Sequence, residues 1–431
     1  MNCKRYEIGN GLSLVHIKTE RFKSARLTLS LTLPLDRDKT PVRSMLMSTG
    51  FLGTERYPDF RSVCSRAEEL YAVDVSDFNL MRGDLQILGL TATMLGEDYM
   101  TEEDRKNDFS ILSGVFELFS EIVLRPLYRE SDVETEKINR MNRIKARKNN
   151  AFGYAKLRFN KKMFEGEPSE QTLNGELGQL ESICREDLVA GREELCRVSR
   201  AEFFYCGTED AERIASLIKE SFGACFEQAS DTREQFVKRR ADSVKEIEES
   251  GEYRQGNLLM GFRTGVVLDD PEFYAVELMN HIFGDGTSSK LFANVREKKS
   301  LCYFCASSYD EERGVIVVGA GIDNDDRTAA VEEILRQLDE IRRGNITDAE
   351  LEAARESIEN DCRAAEDHPS DYEDFARIER LFGGPRTIEE YRRGVLSVTR
   401  EQIAEAARRI TLDTVYFLKG TLADGEEDDY E

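Results

Sequence analysis

Arg296 and Tyr303 stand seven residues apart at the end of the stretch Gly284-Asp-Gly-Thr-Ser-Ser-Lys-Leu-Phe-Ala-Asn-Val-Arg-Glu-Lys-Lys-Ser-Leu-Cys-Tyr303. Gly284 and Gly286 mark a turn at its start. A guanidinium keeps its charge and offers a planar fork of donors to a peptide carbonyl. A phenol can donate a hydrogen bond to a developing oxyanion. These are residue types for holding and polarising a peptide; the bland alternative is a surface arginine and a packed tyrosine. The two glycines lack the further Gly and the Lys of a phosphate-binding loop, which argues against nucleotide binding.

Metal chemistry has few donors to draw on. The three histidines, His16, His281 and His368, are not at ligand spacing. Carboxylates are abundant, but without the spacing of an EF-hand loop. Nine cysteines fit reduced thiols better than a disulfide framework. Cys184, Cys196, Cys206, Cys302 and Cys305 fall in apolar or mixed segments and read as buried packing residues. Cys302 and Cys305 form a CxxC, but no second such pair exists. Alternation around them indicates a strand, so packing is preferred over a zinc or redox motif.

The elements that must position these residues need more than one core. A chain of 431 residues, 40% hydrophobic, suits two to three domains. Charged residues make up 33% and the net charge is −24, against a general nucleic-acid or anionic-membrane binder. The N-terminal stretch lacks the apolar core of a signal peptide and no later window is apolar enough to span a bilayer; the expectation is a cytoplasmic protein.

Two short strands are expected from Tyr6 to Lys18 around Asn10-Gly11. Strict alternation from Ala25 to Leu33 predicts a half-buried strand. Thr40 is the expected N-cap and Pro41 the first turn of a helix over Val42–Thr49. A helix over Phe60–Tyr71, strands over Ala72–Asn79 and Leu85–Thr93, a polar surface loop from Met94 to Asp108 and a helix over Phe109–Leu124 come next. Ser131 is the expected cap of a charged helix to Asn149. Helices over Ala155–Phe164, Ser182–Leu195 and Glu209–Phe222, with a strand over Arg200–Tyr205, complete an α+β half. After a polar linker at 226–244, strands (Gln255–Phe262, Tyr303–Ser308, Gly314–Gly321, Thr414–Lys419) and helices (Pro271–Phe283, Arg327–Arg343, Thr347–Arg363, Ser370–Leu381, Arg400–Arg409) recur. The acidic tail from about Asp424 is expected to be disordered. Ile183-Cys-Arg-Glu-Asp-Leu188 and Val398-Thr-Arg-Glu-Gln-Ile403 each precede a helix and a strand ending in Gly-Thr, at Gly207-Thr208 and Gly420-Thr421. That paired spacing predicts two homologous domains, 1–225 and 245–431.

Phe283-Gly-Asp-Gly-Thr-Ser-Ser-Lys-Leu-Phe292 and Arg296-Glu-Lys-Lys-Ser-Leu-Cys-Tyr303 resemble the Gly-rich turn and Arg-Glu-Lys-x-Gly-Leu-x-Tyr run of the M16 (pitrilysin-type) zinc peptidases, with Ser300 in place of Gly. The resemblance covers nearly the whole chain. It implies two homologous α+β domains and carries the family's substrate-holding pair onto Arg296 and Tyr303. It also implies a His-x-x-Glu-His helix in the first domain, with both histidines on one face and the Glu as general base on metal-bound water. In the family that motif runs on to an aromatic residue and then Gly-Thr. Phe51, Gly53 and Thr54 match this continuation, which places the motif on Ser44-Met45-Leu46-Met47-Ser48. Both histidines are therefore serines and the base is Met47. The third ligand, a Glu on the later charged helix, falls on Arg143, with Glu136 either a kept auxiliary acid or part of a solvated face.

The chain is thus expected to hold no zinc and not to be a peptidase by itself. The resemblance implies a non-catalytic subunit of a heterodimer. Zinc would sit on a partner bearing His-x-x-Glu-His, and Arg296 and Tyr303 would position a peptide or unfolded polypeptide. Within the family the chain looks closest to the inactive member of the bacterial paired peptidases linked to elongation factor P modification. The alternative is a protease-derived scaffold subunit without a proteolytic role.

Overall fold

The computed structural model describes residues 3–9, 11–226 and 236–422. Asn10, residues 227–235 of the expected linker and the acidic tail from Asp424 lie outside the described residues. The chain divides into two compact units, Met1–Lys145 with Gln171–Glu234, and Ala146–Glu170 with Gln235–Glu431.

The first unit is built on β1 (Lys4–Gly9), β2 (Leu12–Lys18), β3 (Ser24–Pro34), β4 (Asp74–Arg82), β5 (Leu85–Leu95) and β6 (Arg200–Gly207), in the order β1-β2-β6-β3-β5-β4. Only β2 and β6 pair in parallel. The second unit is built on β7 (Lys245–Gly251), β8 (Gly256–Arg263), β9 (Phe304–Asp310), β10 (Val315–Ile322) and β11 (Thr411–Gly420), in the order β7-β11-β8-β10-β9. Again one pair, β7 with β11, is parallel. The second sheet repeats the first from β2 onward, so the expected α+β fold and its duplication are both present.

Several expectations need correction. Alternation in β3 predicts one wet face, yet Thr28, Ser30 and Thr32 are all buried. The strand is central, between β5 and β6, and its small hydroxyls can be covered because they find partners; Thr28 Oγ1 lies 3.1 Å from Thr91 Oγ1. Thr40 is not a cap. It is the first residue of the helix Thr40–Gly50, and the Asp36 carboxylate accepts from the main-chain N–H groups of Asp38 and Lys39 just before it. Ser131 likewise lies inside the helix Glu130–Ala146. The polar stretch after Met94 folds into a 3₁₀ turn at Glu97–Tyr99 and a short helix, Glu102–Lys106, capped by Thr101. β7 was hidden because KEIEESG has no apolar alternation; it is an exposed edge strand recruited by β11. Among the five cysteines expected to be buried, Cys184 is exposed and Cys196 and Cys302 only half-buried.

One helix packs where its chain position does not suggest. Ala151–Met163 belongs to the second unit. Ala155, Phe159 and Met163 form a core with Leu259, Val315, Tyr416 and Leu418. The approach is close enough that a Cβ on Gly261 would stand 2.4 Å from Met163 Sδ and 2.7 Å from Phe159 Cζ. Arg158 adds a two-point pair to Glu249 of β7 at 2.9 and 2.6 Å. Amphipathic spacing identifies a face to be covered but not which sheet covers it.

Candidate functional site

The helix Phe273–Phe283 ends at Gly284, whose carbonyl accepts from Ser307 N at 3.0 Å. A side chain does not fit there: a Cβ would lie 2.5 Å from Ser307 Oγ and 2.7 Å from Leu291 Cδ1. Gly286 is needed for a different reason. Its surroundings are open, but its φ of +97° is one that only glycine adopts freely. The chain then enters a wide, π-helical turn, Leu291–Lys298. Leu291 and Val295 are buried beneath it. Lys290 Nζ donates to Glu350 at 2.7 Å and Asn294 Nδ2 to Gln337 at 3.1 Å, which fastens the turn to the helices Asp348–Ala365 and Arg327–Arg342.

This framework presents Arg296 and Tyr303 together at the surface. Arg296 Nε donates to the Tyr303 carbonyl at 3.0 Å, and the guanidinium lies 4.6 Å from the centre of the Phe292 ring. Tyr303 N donates to Gly321 O at 2.9 Å, while its hydroxyl reaches Asp323 Oδ1 at 3.3 Å. The arginine therefore spends one donor and one face on being held. Its Nη1 meets Glu297 at 3.3 Å, a wet contact in which the Glu is 59% exposed and which contributes little. Tyr303 itself is 57% exposed. It leads directly into β9, which pairs with β10 along one side and, among the described residues, with no strand along the other. An outer strand of this kind offers main-chain donors and acceptors to an extended peptide.

The helix Thr40–Gly50 shows what stands where zinc ligands were expected. Arg140 Nη2 donates to Ser44 O at 2.7 Å and to Ser48 Oγ at 3.0 Å. Its Nε donates to Glu136 Oε1 at 2.7 Å, and Ser48 Oγ donates to the same oxygen at 2.9 Å. Ser44 Oγ lies 2.6 Å from Leu173 O and 3.2 Å from Gln86 Nε2. Arg140 and Glu136 are both buried, so Glu136 is not part of a solvated face. Met47 is 3% exposed and belongs to the apolar core. Arg143 is exposed; burial holds the nearby Asp77 carboxyl above its ordinary range, and the charges of Arg140 and, last, Arg143 offset this only in part.

The structure thus brings Ser44 and Ser48 together with Glu136. It leaves Arg143 outside the bonded group and supplies Arg140 instead. The sequence carried a signal for Arg140: Val133, Glu136 and Arg140 are the buried residues of their helix, at spacings of three and four.

These donors do not fit zinc. Two hydroxyls already in hydrogen bonds, a thioether turned into the core and a guanidinium in contact with both serines would oppose a dication. The histidines do not compensate. His16 stacks on Tyr205 and its Nε2 lies 2.8 Å from Glu209 O. His281 is buried within 3.5 Å of Asp285, and His368 stands just before the helix Pro369–Phe382 without a side-chain bond to its first turn. Among the described residues no three His, Cys, Asp or Glu side chains could hold a metal ion. No described helix is long and apolar enough to cross a membrane.

Comparison with known proteins places this arrangement. Residues 182–358 match the family described as the Peptidase M16 inactive domain. Over 419 residues it is 27% identical to the probable inactive metalloprotease YmfF of Bacillus subtilis, across 95% of this chain and 96% of that one. Its fold is similar to that of a conserved protein from Enterococcus faecalis, with a TM-score of 0.90 and 23% identity over 99% of this chain and 100% of the other. It is also similar to a peptidase M16 inactive domain protein from Pseudomonas fluorescens, with a TM-score of 0.80 and 17% identity over 99% and 100% of the two chains.

Proposed function

We propose that this chain is the non-catalytic subunit of a heterodimeric M16-type zinc peptidase and that it positions a peptide with Arg296 and Tyr303 for a partner carrying His-x-x-Glu-His. The observation that carries the reading is a contrast between two places in one chain. At Ser44 and Ser48 the polar groups are satisfied internally by Arg140 and Glu136, so nothing is left to activate water. At Arg296 and Tyr303 a built framework holds one donor 39% and the other 57% exposed beside the outer side of β9. Groups ordered at the surface in this way suit an external ligand. An extended peptide would pair its backbone with a strand edge and meet the guanidinium and phenol with its carbonyls.

The test is reconstitution with the zinc-bearing subunit and an unfolded peptide as substrate. Arg296→Ala and Tyr303→Phe should each leave assembly intact, measured by light scattering, while turnover falls roughly tenfold or more. Full turnover in both variants would remove the positioning role. A chain that assembles only with itself and ignores such a partner would favour a scaffold.

A further inference from the structure

We propose that Phe304 and Phe152 form an apolar subsite beside Tyr303, which takes one bulky apolar side chain of an extended peptide added antiparallel along the outer side of β9. That occupant rests on the function proposed above; the ledge of two rings does not.

Phe304 is the first residue of β9 and stands opposite Gly321 of β10, while Ala306 stands opposite Gly319. The two glycines make room for rings. A Cβ on Gly321 would lie 2.6 Å from Phe304 Cε1, and one on Gly319 would lie 2.6 Å from Phe152 Cζ. Phe152 comes from the first turn of the helix Ala151–Met163. The two rings meet edge to face, with centroids 4.9 Å apart and planes at 87°, a preferred geometry for an aromatic pair. Both rings therefore lie over bare backbone of β10. Phe304 is still 38% exposed, and no strand among the described residues stands on the outer side of β9.

The edge itself fixes where a peptide can pair. Ser307 N–H points away from β10 and donates to Gly284 O at 3.0 Å, so the Gly284 turn closes the outer side of the strand from there on. Main-chain groups two residues apart in a strand point the same way. Cys305 thus presents its N–H and carbonyl outward, one residue after Phe304. A peptide residue that exchanges hydrogen bonds with Cys305 has its next neighbour, towards the start of β9, opposite Phe304. The side chain of that neighbour projects from the face that carries the Phe304 ring, at the roughly 4.5–5.5 Å Cβ spacing of a cross-strand pair.

The size of the patch selects a peptide side chain over a second folded surface. Among the described residues of the second unit, the exposed large apolar side chains are Val237, Val244, Tyr303 and Phe304. The valines lie on the segment leading into β7, the strand at the opposite edge of the sheet. Two adjoining residues at Tyr303 and Phe304 are far less than the roughly 800 Å² that each partner buries in a stable protein interface. They match one bulky side chain on a strand.

The full chain is irradiated with a short Ser/Thr peptide carrying one central benzoylphenylalanine, and the adducts are mapped by mass spectrometry. They should fall on Phe304, Phe152 and the residues next to them. The same peptide with Leu at its centre should suppress this labelling at roughly a tenth of the concentration needed with Ala there. Phe304→Ala should abolish the preference for Leu, and Phe304→Leu should keep most of it. Adducts scattered over the chain, equal competition by the Leu and Ala peptides, or an undiminished preference in Phe304→Ala would each overturn the subsite. Arg296→Ala and Tyr303→Phe separate the two proposals. Full turnover of the reconstituted pair in both variants, with labelling at Phe304 and the preference for Leu intact, would remove the positioning role and leave the subsite standing. Reduced turnover in those variants, with no preference for Leu in the wild type, would do the reverse.

Discussion

Arg140 Nη2 bridges Ser44 O and Ser48 Oγ, at 2.7 and 3.0 Å, from a neighbouring helix. The two serines are one turn apart, so a single planar cation can reach both. Its charge is balanced by Glu136 at 2.7 Å. The space beside the two serines is occupied by a buried ion pair with its own hydrogen bonds.

That pair makes a prediction about stability. Arg140→Met would strand the Glu136 carboxylate in a buried setting and should lower the unfolding free energy by about 3–5 kcal/mol. The double variant Glu136→Leu with Arg140→Met should recover most of this loss. Urea denaturation of both proteins measures it, and a single variant that costs less than about 1 kcal/mol would mean that the ion pair is not what holds the helices together here.

Ser300 has a φ of +53°. A side chain in the left-handed region costs roughly 1–2 kcal/mol, which glycine avoids in exchange for some extra backbone freedom in the unfolded chain. Ser300→Gly should raise stability by about 1 kcal/mol. Thermal unfolding reports the change; a lower midpoint would show that the hydroxyl contributes more than the backbone costs.

Glu333 gives the turn a pH-dependent anchor. Burial on its own would raise the Glu333 pKa, but donors on Arg336, Lys299 and Gln337 outweigh it and hold the carboxyl at about 2. Lys299 reaches it at 2.8 Å. A carboxyl with a depressed folded pKa adds stability above its ordinary value of 4.5, and that contribution is lost as pH falls through the folded value. The gap in unfolding free energy between wild type and Glu333→Gln should be widest at neutral pH and close between pH 4.5 and about 2. A gap that stays constant on acidification would contradict this account.

The helix Ala151–Met163 predicts how the chain can be cut. A fragment beginning at Gln235 lacks Phe159 and Met163, which fill the core against Leu259 and Tyr416. It should expose apolar surface, bind a hydrophobic dye and aggregate, whereas joining residues 146–170 to it should restore a cooperative unfolding transition. A fragment that folds equally well without them would show the helix to be an accessory cover.

Much of this was legible in the residues. Apolar runs and alternation located ten of the eleven strands among the described residues, because most of them bury at least one face. β7 escaped because an edge strand of Lys and Glu is held by its neighbour's backbone, not by its own side chains. Gly284 and Gly286 announced a turn, and the structure separates their reasons into one of space and one of conformation. That Ser44 and Ser48 share one helical face could be read from their spacing, but Arg140 could not be placed beside them without the packing of two helices. Counting along the chain pointed to Arg143, a little under one turn away and on the wet side.

The partner of that early helix also sets an order of events. Its apolar face is covered by β8, β10 and β11, and β11 lies inside its sheet, between β7 and β8. The ribosome makes Phe159 long before Tyr416. At common rates of synthesis, about 5–20 residues per second, the face waits roughly 10–50 s for its last strand. Through that interval the nascent chain must carry an unmatched apolar helix between two stretches of a first unit that is itself assembling. Its maturation is therefore a problem of timing, and of whatever shields that surface until the final strand arrives.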